Sequence, residues 1–297
     1  MTKTNGWRVM VTASCLVAIS VLVAQNLESP KRLLFLTHAS LYQHDSLEPA
    51  ERSVTAWGED AGFTVTGLRG FAQESSELDL SMISADYLDQ FDGVMMFTNG
   101  NLPMDDSQRR AITDFVRSGK GFVGVHSASL TFYDHPEFGE MLGGYFRRAI
   151  RQGHLFVLTV EDRDHPATRM LGPSWPIVDE FYLFGTQAWR AAAPDENRDE
   201  LFGNPIPLAF SRDRVRVLLS IDTELTDMDG LEETGMEKGG DYPQAWSRMF
   251  GEGRSFYTAI GHREDIWTND PVFRAHVTGG IRWALGLESG DATPLGE

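Results

Sequence analysis

Cysteine is almost absent from this sequence of 297 residues. The single thiol is Cys15, which lies in an N-terminal segment unlike the rest of the chain. The remainder therefore has no disulfide, no thiolate nucleophile and no thiolate metal site. Because a domain of this size can be stabilised by its hydrophobic core alone, the lack of disulfides does not argue against export.

Positive charge is also scarce. Lysine and arginine number 26 against 43 aspartates and glutamates, which gives a formal net charge of −17. Such a surface repels the phosphate backbone, so no nucleic-acid partner is expected, and the acidity is typical of a soluble surface. The composition is 41% hydrophobic, which supplies a sizeable core and excludes global disorder.

Several familiar catalytic motifs are missing. The chain has no Gly-x-Ser-x-Gly elbow of the usual hydrolases and no Walker phosphate-binding loop. No Gly-x-Gly-x-x-Gly follows the first predicted strand, which disfavours a dinucleotide-binding loop. The chain also has no internal repeat and no low-complexity tract, so the pattern favours one domain.

The N-terminal segment, residues 1–25, is typical of a secretory signal or a membrane anchor. Lys3 and Arg8 precede an apolar run that ends at Ala24, which is an acceptable cleavage position. The run is shorter than the ~20 residues of a spanning helix, so the pattern favours a cleaved signal. An uncleaved anchor that tethers the protein to a membrane is the alternative, and a lipid on Cys15 is a weaker one. We therefore predict export to the periplasm or the extracellular space.

In the first half of the chain, short apolar segments alternate with amphipathic ones. The apolar segments predict β-strands and the amphipathic segments predict helices, with short connections between them. This alternation indicates an α/β fold with a doubly wound, mostly parallel sheet. The predicted strands are 31–37, 63–68, 93–98 and 121–125, and the predicted helices run from Asp45 or Ser46 to Ala61 and from Asp105 or Asp106 to Arg117.

The second half of the chain is more elaborate. Acidic, glycine-rich loops at 191–205 and 222–241 interrupt it. We predict a single domain over 31–287, followed by a short tail over 288–297. The predicted strands of this half are 154–160, 215–221 and 253–262, and a closing helix is predicted at 271–285.

Polar side chains follow the apolar strands at the points where the strands end. Because the carboxyl ends of parallel strands meet at one edge of a sheet, and ligands bind outside that edge, these side chains predict a cleft. We expect the imidazoles of His44, His126 and His262 to lie within about 10 Å of one another there. The strand-end residues are His38, Asn99, His126, Ser127 and His262, and His44 lies in the loop that follows the first strand.

A carboxylate lies beside aromatic residues in the segment 179–182. A histidine and a carboxylate suit general acid–base catalysis, because imidazole titrates near neutral pH and a carboxylate can orient it. The alternative is that Glu180 only pairs with an arginine. The predicted catalytic residues are His126 and Glu180, and the predicted substrate-binding residues are His44, Asn99, Ser127, Tyr182 and His262.

The histidines are also candidate ligands for a divalent metal. His44, His126 and His262 together with a carboxylate resemble the donor set of zinc or a similar ion. No helix carries two histidines four residues apart and no His-x-His occurs, so the spacing alone does not assign a metal site.

Two further groups of residues have structural interpretations. Asp162, Asp164 and His165 precede or flank Pro166 and are typical of a turn. The aromatic residues of the second half could stack on sugar faces, but core packing is favoured. These aromatic residues are Trp175, Tyr182, Trp189, Tyr242 and Trp246.

Several stretches together resemble the trehalose-utilisation (ThuA-like) family. The resemblance covers about residues 32–286, nearly all of the predicted domain. It implies the flavodoxin-like fold of the class I glutamine amidotransferases and a role in carbohydrate metabolism, especially on keto-sugars formed from disaccharides and glycosides. The matching stretches are 42–46, 121–128, 160–168, 179–182 and 251–262.

The resemblance also places His126 at a defined point of the fold. Relatives with amidotransferase activity carry a cysteine at a sharp strand-to-helix elbow, and the matching position here is His126. Since no cysteine is available, glutamine hydrolysis through a thioester is not expected. Gln43 stands where the family often has arginine, which predicts a different substrate contact.

The residues and the resemblance leave three functions open. The first is an enzyme that acts on a small carbohydrate, an oxidised sugar or glycoside, by removing the acidic proton beside a carbonyl. The second is a sugar-binding module without catalysis on an enzyme fold. The third, a structural partner in an exported complex, has no support from heptads or repeats.

Overall fold

The computed structural model of the chain describes residues 1–2, 29–72, 79–184 and 210–296. The predicted signal or anchor beyond Thr2, the acidic loop 191–205 and Trp189 lie outside the described residues. In chain order the elements are β1 Lys31–Leu36, α1 Leu47–Ala61, β2 Phe63–Leu68, α2 Ala85–Leu88, β3 Gly93–Met96, α3 Asp106–Arg117, β4 Gly121–Val125, α4 Pro136–Leu142, β5 Phe146–Ala149, β6 His154–Val160, β7 Ser174–Asp179, β8 Tyr182–Phe184, β9 Arg216–Ile221, β10 Pro243–Phe250, β11 Gly253–Thr258, α5 Glu264–Asn269 and α6 Pro271–Ala284.

One nine-stranded sheet runs through the molecule. Its strand order is β2-β1-β3-β4-β11-β10-β9-β6-β7, and the first five strands of this order pair in parallel. The remaining pairs are antiparallel, so only β10 and β6 run against the others and seven of the nine strands point the same way. The predicted α/β fold with a mostly parallel sheet is confirmed.

Helices cover both faces of the sheet because its central strands are apolar on both sides. In β1, Leu33 and Phe35 pack with α1 on one face, and Leu34 and Leu36 pack with the core of the other face. The first face carries α1, α5 and α6, and the second carries α2, α3 and α4. A parallel sheet buried on both faces accounts for the continuous apolar strands of the sequence.

Local sequence explains the ends of the two long helices in the first half. The side chain of Asp105 accepts hydrogen bonds from the backbone of Ser107 and Gln108, and Gln108 reaches back to Asp105, which is a capping box at the start of α3. Helix α1 ends at Gly62, whose φ of 83° is the left-handed conformation that glycine adopts without strain. Ser46 precedes α1 as predicted, but its side chain makes no capping bond.

Two predicted strands end earlier than expected. Strand β3 ends at Met96 rather than at residue 98, and β11 ends at Thr258, so His262 lies four residues beyond its strand. The sequence pattern overestimated β11 because Ala259 and Ile260 are buried although they are no longer paired in the sheet. Strands β5, β7, β8 and β10 and helices α4 and α5 were not predicted.

The antiparallel part of the sheet curls back toward the central strands. Three strands separate β7 from β11, and in a flat sheet this would place them about 19 Å apart. The carboxylate of Asp179 at the end of β7 nevertheless accepts hydrogen bonds from Gly261 and Arg263, just beyond β11. The curl therefore brings the carboxyl end of β7 to the same place as the carboxyl end of β11.

Within residues 29–72, 79–184 and 210–296, no helix is both long enough and apolar enough to span a bilayer.

Candidate active site

His126 lies at a sharp elbow between β4 and a short 3-10 helix, His126–Leu130. Its φ of 46° is rare for a residue other than glycine, and such strain of ~1–3 kcal/mol is retained where the surrounding structure holds it. The hydroxyl of Tyr257 donates to the His126 carbonyl at 2.8 Å, and Ser129 Oγ donates to it at 3.2 Å. His126 Nδ1 donates to the carbonyl of Ala259 at 2.6 Å, so Nε2 carries the lone pair, and this buried nitrogen faces His262, Glu180 and Tyr182.

His44 and His262 lie beside His126. The ring centroids are 4.9 Å apart for His44 and His126, 5.1 Å for His44 and His262, and 5.2 Å for His126 and His262. The expectation that the three imidazoles share one cleft within about 10 Å is confirmed. His38 does not join them: it is buried two residues beyond β1, and within residues 29–72, 79–184 and 210–296 neither of its ring nitrogens has a hydrogen-bond partner.

Glu180 brings a carboxylate to the three histidines. It follows β7 directly, so the curl of the sheet carries it to the elbow. Glu180 Oε2 lies 3.2 Å from His262 Nδ1 and 3.5 Å from His126 Nε2. Glu180 therefore pairs with the histidines, and the alternative of a purely structural pair with an arginine is wrong.

The close packing of these groups shifts their proton affinities. Burial alone would raise the pKa of Glu180, but hydrogen bonds and charge from His126 and His262, which act when these imidazoles are protonated, outweigh it and lower the pKa to about 2. Burial, reinforced by the two neighbouring histidines, lowers the pKa of His44 to about 2. At neutral pH the site therefore contains an ionised carboxylate and a neutral His44.

Tyr182 covers the other side of His126. Its hydroxyl lies 2.7 Å from His126 Nε2, and the two rings stack with centroids 4.4 Å apart. The backbone of Tyr182 is bound at both its N–H and its carbonyl by the side chain of Gln244. Burial raises the pKa of Tyr182 well above its usual value, so the phenol keeps its proton.

The cleft has two lobes that share Tyr42, His44, Gln152 and His262. One lobe, of about 520 Å³, is polar and contains Asp45, Arg263 and Asp265. The other, of about 580 Å³, is largely apolar; it contains Leu41, Leu130, Phe146 and Ala149 beside Asn99, Ser127, Glu180 and Tyr182. Each lobe has a size typical of small-ligand sites. His44 and His262 lie where the lobes meet, and His126 is buried directly behind them.

Asn99 and Ser127 line the apolar lobe as predicted residues of the cleft, but they are bound differently. The side chain of Asn99 accepts from the backbone of Leu41 and Tyr42 and donates to the carbonyl of Tyr42. Most of its hydrogen-bonding capacity thus holds the loop that carries His44. Ser127 Oγ is buried and has no hydrogen-bond partner among the described residues.

Gln43 does not line either lobe. Its side chain donates to the carbonyl of Phe71 at 3.0 Å instead. A different substrate contact at this position stays a prediction.

The turn prediction near Pro166 is confirmed. Asp162 Oδ1 accepts from the backbone of Asp164 and His165, which is the hydrogen bonding of an Asx turn. His165 is buried against Trp283, well away from the cleft lining. Trp175 and Trp246 are core residues, as the composition favoured.

Sequence reasoning missed three groups that position the site. Asp179 holds the turn at Gly261 to Arg263, and the Ala259 carbonyl orients His126. Gln152 contacts His262 Nε2 from the loop between β5 and β6. Of these three, only Asp179 had a signal in the local sequence, because it stands beside Glu180. The roles of the Ala259 carbonyl and of Gln152 depend on contacts between distant segments.

The fold and the cleft define an α/β protein whose sheet edge carries a histidine–carboxylate cluster. The chain belongs to the ThuA family, described as trehalose utilisation, whose family model matches residues 32–284. No curated protein matches the chain.

Solved structures share the fold at low sequence identity. A ThuA-like protein of Parabacteroides merdae ATCC 43184 has a TM-score of 0.64 and 18% identity over 88% of this chain and 92% of its own. A ThuA-like protein of Bacteroides uniformis ATCC 8492 has a TM-score of 0.60 and 20% identity over 86% of this chain and 92% of its own. These likenesses establish the ThuA-like fold and leave the reaction to the site.

Proposed function

We propose that this protein is an enzyme that acts on an oxidised, keto form of a sugar or glycoside by proton transfer at the carbon beside the carbonyl. The observation that carries the proposal is the convergence of three histidines and an ionised carboxylate in one cleft. The description of the family as trehalose utilisation supports a carbohydrate as the substrate.

The chemistry follows from the acidity of a keto-sugar. A carbonyl makes the neighbouring C–H acidic, and a base that takes this proton leaves the electron pair in an enediolate. His126 Nε2 and Glu180 provide the lone pairs for this step, and the protonated phenol of Tyr182 lies 2.7 Å from His126 to return a proton. If the proton returns to the former carbonyl carbon, the result is an isomerisation. If the enediolate instead expels the glycosidic oxygen, which takes up the proton and leaves as an alcohol, the result is an elimination.

The two lobes suit a sugar that carries a second group. The carboxylates of Asp45 and Glu264 in the polar lobe can accept hydrogen bonds from sugar hydroxyls, and the ion pair of Arg263 with Asp265 lines the same lobe. Leu130 and Phe146 in the apolar lobe can hold a less polar leaving group. The substrate class that fits best is therefore a keto-glycoside rather than a free sugar.

Incubation with a 3-keto-glucoside, followed by mass spectrometry of the products, tests the proposal. Loss of a positioned base or donor costs ~10²–10⁴ in rate, so His126→Ala and Glu180→Gln should each slow conversion by that order while circular dichroism stays unchanged. His154→Ala is the matched control, because His154 lies on β6 and bonds only the Asp227 carbonyl.

The competing function is a sugar-binding module without catalysis. Unchanged substrate with and without divalent metal, together with calorimetric binding that survives His126→Ala, would replace the enzyme by that module. Glutaminase activity is not expected in either case, because no cysteine stands at the elbow. Release of ammonia from glutamine would contradict the assignment of His126.

Export remains part of the proposal. Lys3, Arg8 and the apolar run to Ala24 support a cleaved signal, with a membrane tether as the alternative. Fractionation of cells that express the full chain, with sequencing of the mature amino terminus, tests this. Full-length protein in the cytoplasmic fraction would contradict it.

A further inference from the structure

Three donor atoms in the cleft form a nearly equilateral triangle. His126 Nε2 lies 3.2 Å from His262 Nδ1 and 3.5 Å from Glu180 Oε2, and His262 Nδ1 lies 3.2 Å from Glu180 Oε2. In a tetrahedral zinc site with bonds of ~2.0–2.1 Å, neighbouring ligand atoms are ~3.3 Å apart. The triangle therefore has the dimensions of one face of such a tetrahedron.

The ring orientations match those of metal-binding histidines. Such histidines usually donate their outer N–H to a carbonyl or carboxylate, which fixes the tautomer and turns the other nitrogen toward the ion. His126 does this through Nδ1 and the Ala259 carbonyl. The amide nitrogen of Gln152 contacts the outer nitrogen of His262, and turning the amide over would place its oxygen there to accept that N–H.

His44 supplies a fourth donor. It is 6% exposed, its Nδ1 is buried without a hydrogen-bond partner in the described part of the chain, and one of its nitrogens lies within 4.8 Å of the other three donors. A buried nitrogen without a partner is costly unless a ligand satisfies it. The longer reach of His44 leaves room on that side of the triangle for a water molecule or a substrate oxygen, as in catalytic metal sites.

The donor types indicate the class of ion. Three imidazoles and one carboxylate suit zinc and the neighbouring first-row transition metals. Calcium and magnesium prefer sets of oxygen ligands, and this cluster offers only one carboxylate. With three neutral imidazoles and one carboxylate as ligands, a bound dication gives the cluster a net charge of +1.

We propose that His126, His262 and Glu180, with His44 as the fourth donor, bind one divalent transition-metal ion of the zinc class. The inference rests on the proposed function in one respect, that the substrate binds in this cleft; it does not depend on which reaction follows. Such an ion acts as a Lewis acid on a carbonyl or hydroxyl oxygen. When His126 Nε2 and Glu180 Oε2 are ligands, they are no longer free bases, so with the ion bound the second oxygen of Glu180 would take the proton. The hydroxyl of Tyr182 would then no longer donate to His126 and would be free to donate to the substrate.

Metal content tests the proposal directly. The full chain is purified without a metal-chelate column, stripped with a chelator, and titrated with Zn²⁺ by calorimetry and with Co²⁺ by visible absorption. We expect about one ion per chain and Co²⁺ bands typical of four- or five-coordinate nitrogen and oxygen ligation. Loss of an outer-shell partner costs ~10–100-fold in metal affinity, so Gln152→Ala should fall in that range and Glu180→Gln, which removes a ligand, should exceed it.

Controls separate a lost ligand from a lost fold. His154→Ala and Tyr182→Phe should bind Zn²⁺ like the wild type, because neither removes a donor of the triangle. Glu180→Gln keeps the shape of the side chain, so its circular dichroism without metal should match that of the stripped wild type, although its unfolding midpoint should fall because the ionised carboxylate stabilises the fold. The double variant His126→Ala/His262→Ala should show no Co²⁺ bands.

The outcomes for the ion and for the reaction are distinguishable. No Zn²⁺ or Co²⁺ binding by the stripped wild type, or binding unaffected by Glu180→Gln and by the double variant, would overturn the metal site. If the protein binds no ion but still converts a keto-glycoside, the proposed function holds and the metal site is wrong. Stoichiometric ion binding without any conversion would support the metal site and count against the proposed reaction.

Discussion

Asp179 offers the sharpest test of how the site is built. Its carboxylate is fully buried at the end of β7 and accepts hydrogen bonds from Gly261 at 2.6 Å, from Arg263 at 3.0 Å and more weakly from His262 at 3.3 Å. These three N–H groups form the turn that presents the imidazole of His262. If the geometry is right, a change at Asp179 disturbs both folding stability and the position of His262.

The expected magnitude follows from the number of N–H groups left without an acceptor. Each unpaired buried donor costs about 1–3 kcal/mol. Asp179→Asn keeps one oxygen but turns an NH₂ group toward the turn, so it should lose about 1–3 kcal/mol of unfolding free energy. Asp179→Ala leaves the Gly261 and Arg263 donors unpaired and should lose about 2–6 kcal/mol. Burial raises the pKa of Asp179, so part of the hydrogen-bond energy already offsets the burial of its charge.

Two measurements check this prediction. Urea unfolding gives the free energy for the wild type and both variants, with the exposed Asp229→Asn as a control expected to stay within about 0.5 kcal/mol. Zn²⁺ calorimetry then reports on the placement of His262, and we expect a ~10–100-fold loss for Asp179→Asn, like that of an outer-shell partner. Wild-type stability and wild-type Zn²⁺ affinity in Asp179→Ala would refute the role assigned to this carboxylate.

Three further predictions concern other parts of the chain. Burial lowers the pKa of His276 to about 4, so the unfolded chain binds a proton first as the pH falls from about 6.5 toward 4. His276→Gln should therefore reduce the slope of unfolding free energy against pH in that window by up to about 1.4 kcal/mol per unit, measured by urea unfolding; an unchanged slope would contradict the buried neutral state. Tyr182→Phe should slow keto-glycoside conversion by ~10²–10⁴ without weakening Zn²⁺ binding, and wild-type turnover would exclude the phenol as a donor. Asn99→Ala should free the loop at Leu41 and Tyr42, raising its amide exchange by at least ~5-fold, since each lost hydrogen bond is worth about 1 kcal/mol; unchanged protection would show that the loop is held otherwise.

The parallel half of the fold could be predicted from the sequence because its signals are local. Strands such as Gly121–Val125 are short apolar runs bounded by glycine, and α3 begins with a capping box that can be recognised in the sequence. Once the strands are parallel, topology alone brings His126 to the carboxyl edge. The meeting of His44 with His126 was predictable for the same reason, since a single loop separates His44 from β1.

The antiparallel half could not be predicted in the same way. Strand β7 contains Pro176, which argues against a strand in a sequence but is tolerated here because β7 is the outermost strand of the sheet. Its position depends on pairing with β6 and on the curl that brings Asp179 to the turn after β11. Glu180 was selected for its chemistry, and only these long-range contacts explain why it reaches the histidines.

The elbow explains why a change of side chain can change the reaction without changing the fold. The strained backbone of His126 is held by bonds to its carbonyl from Tyr257 and Ser129, and these bonds do not depend on which side chain stands there. A cysteine on such an elbow would point a nucleophile into the cleft, whereas an imidazole tied to the Ala259 carbonyl points a lone pair at the same place. Because the lone pair is already oriented, it can bind a cation or a proton without reorganisation of the site. Glu180, which the curled sheet brings to this place, balances part of the positive charge. The parallel strands thus position the elbow of His126, and the antiparallel strands supply the carboxylate of Glu180 that acts with it.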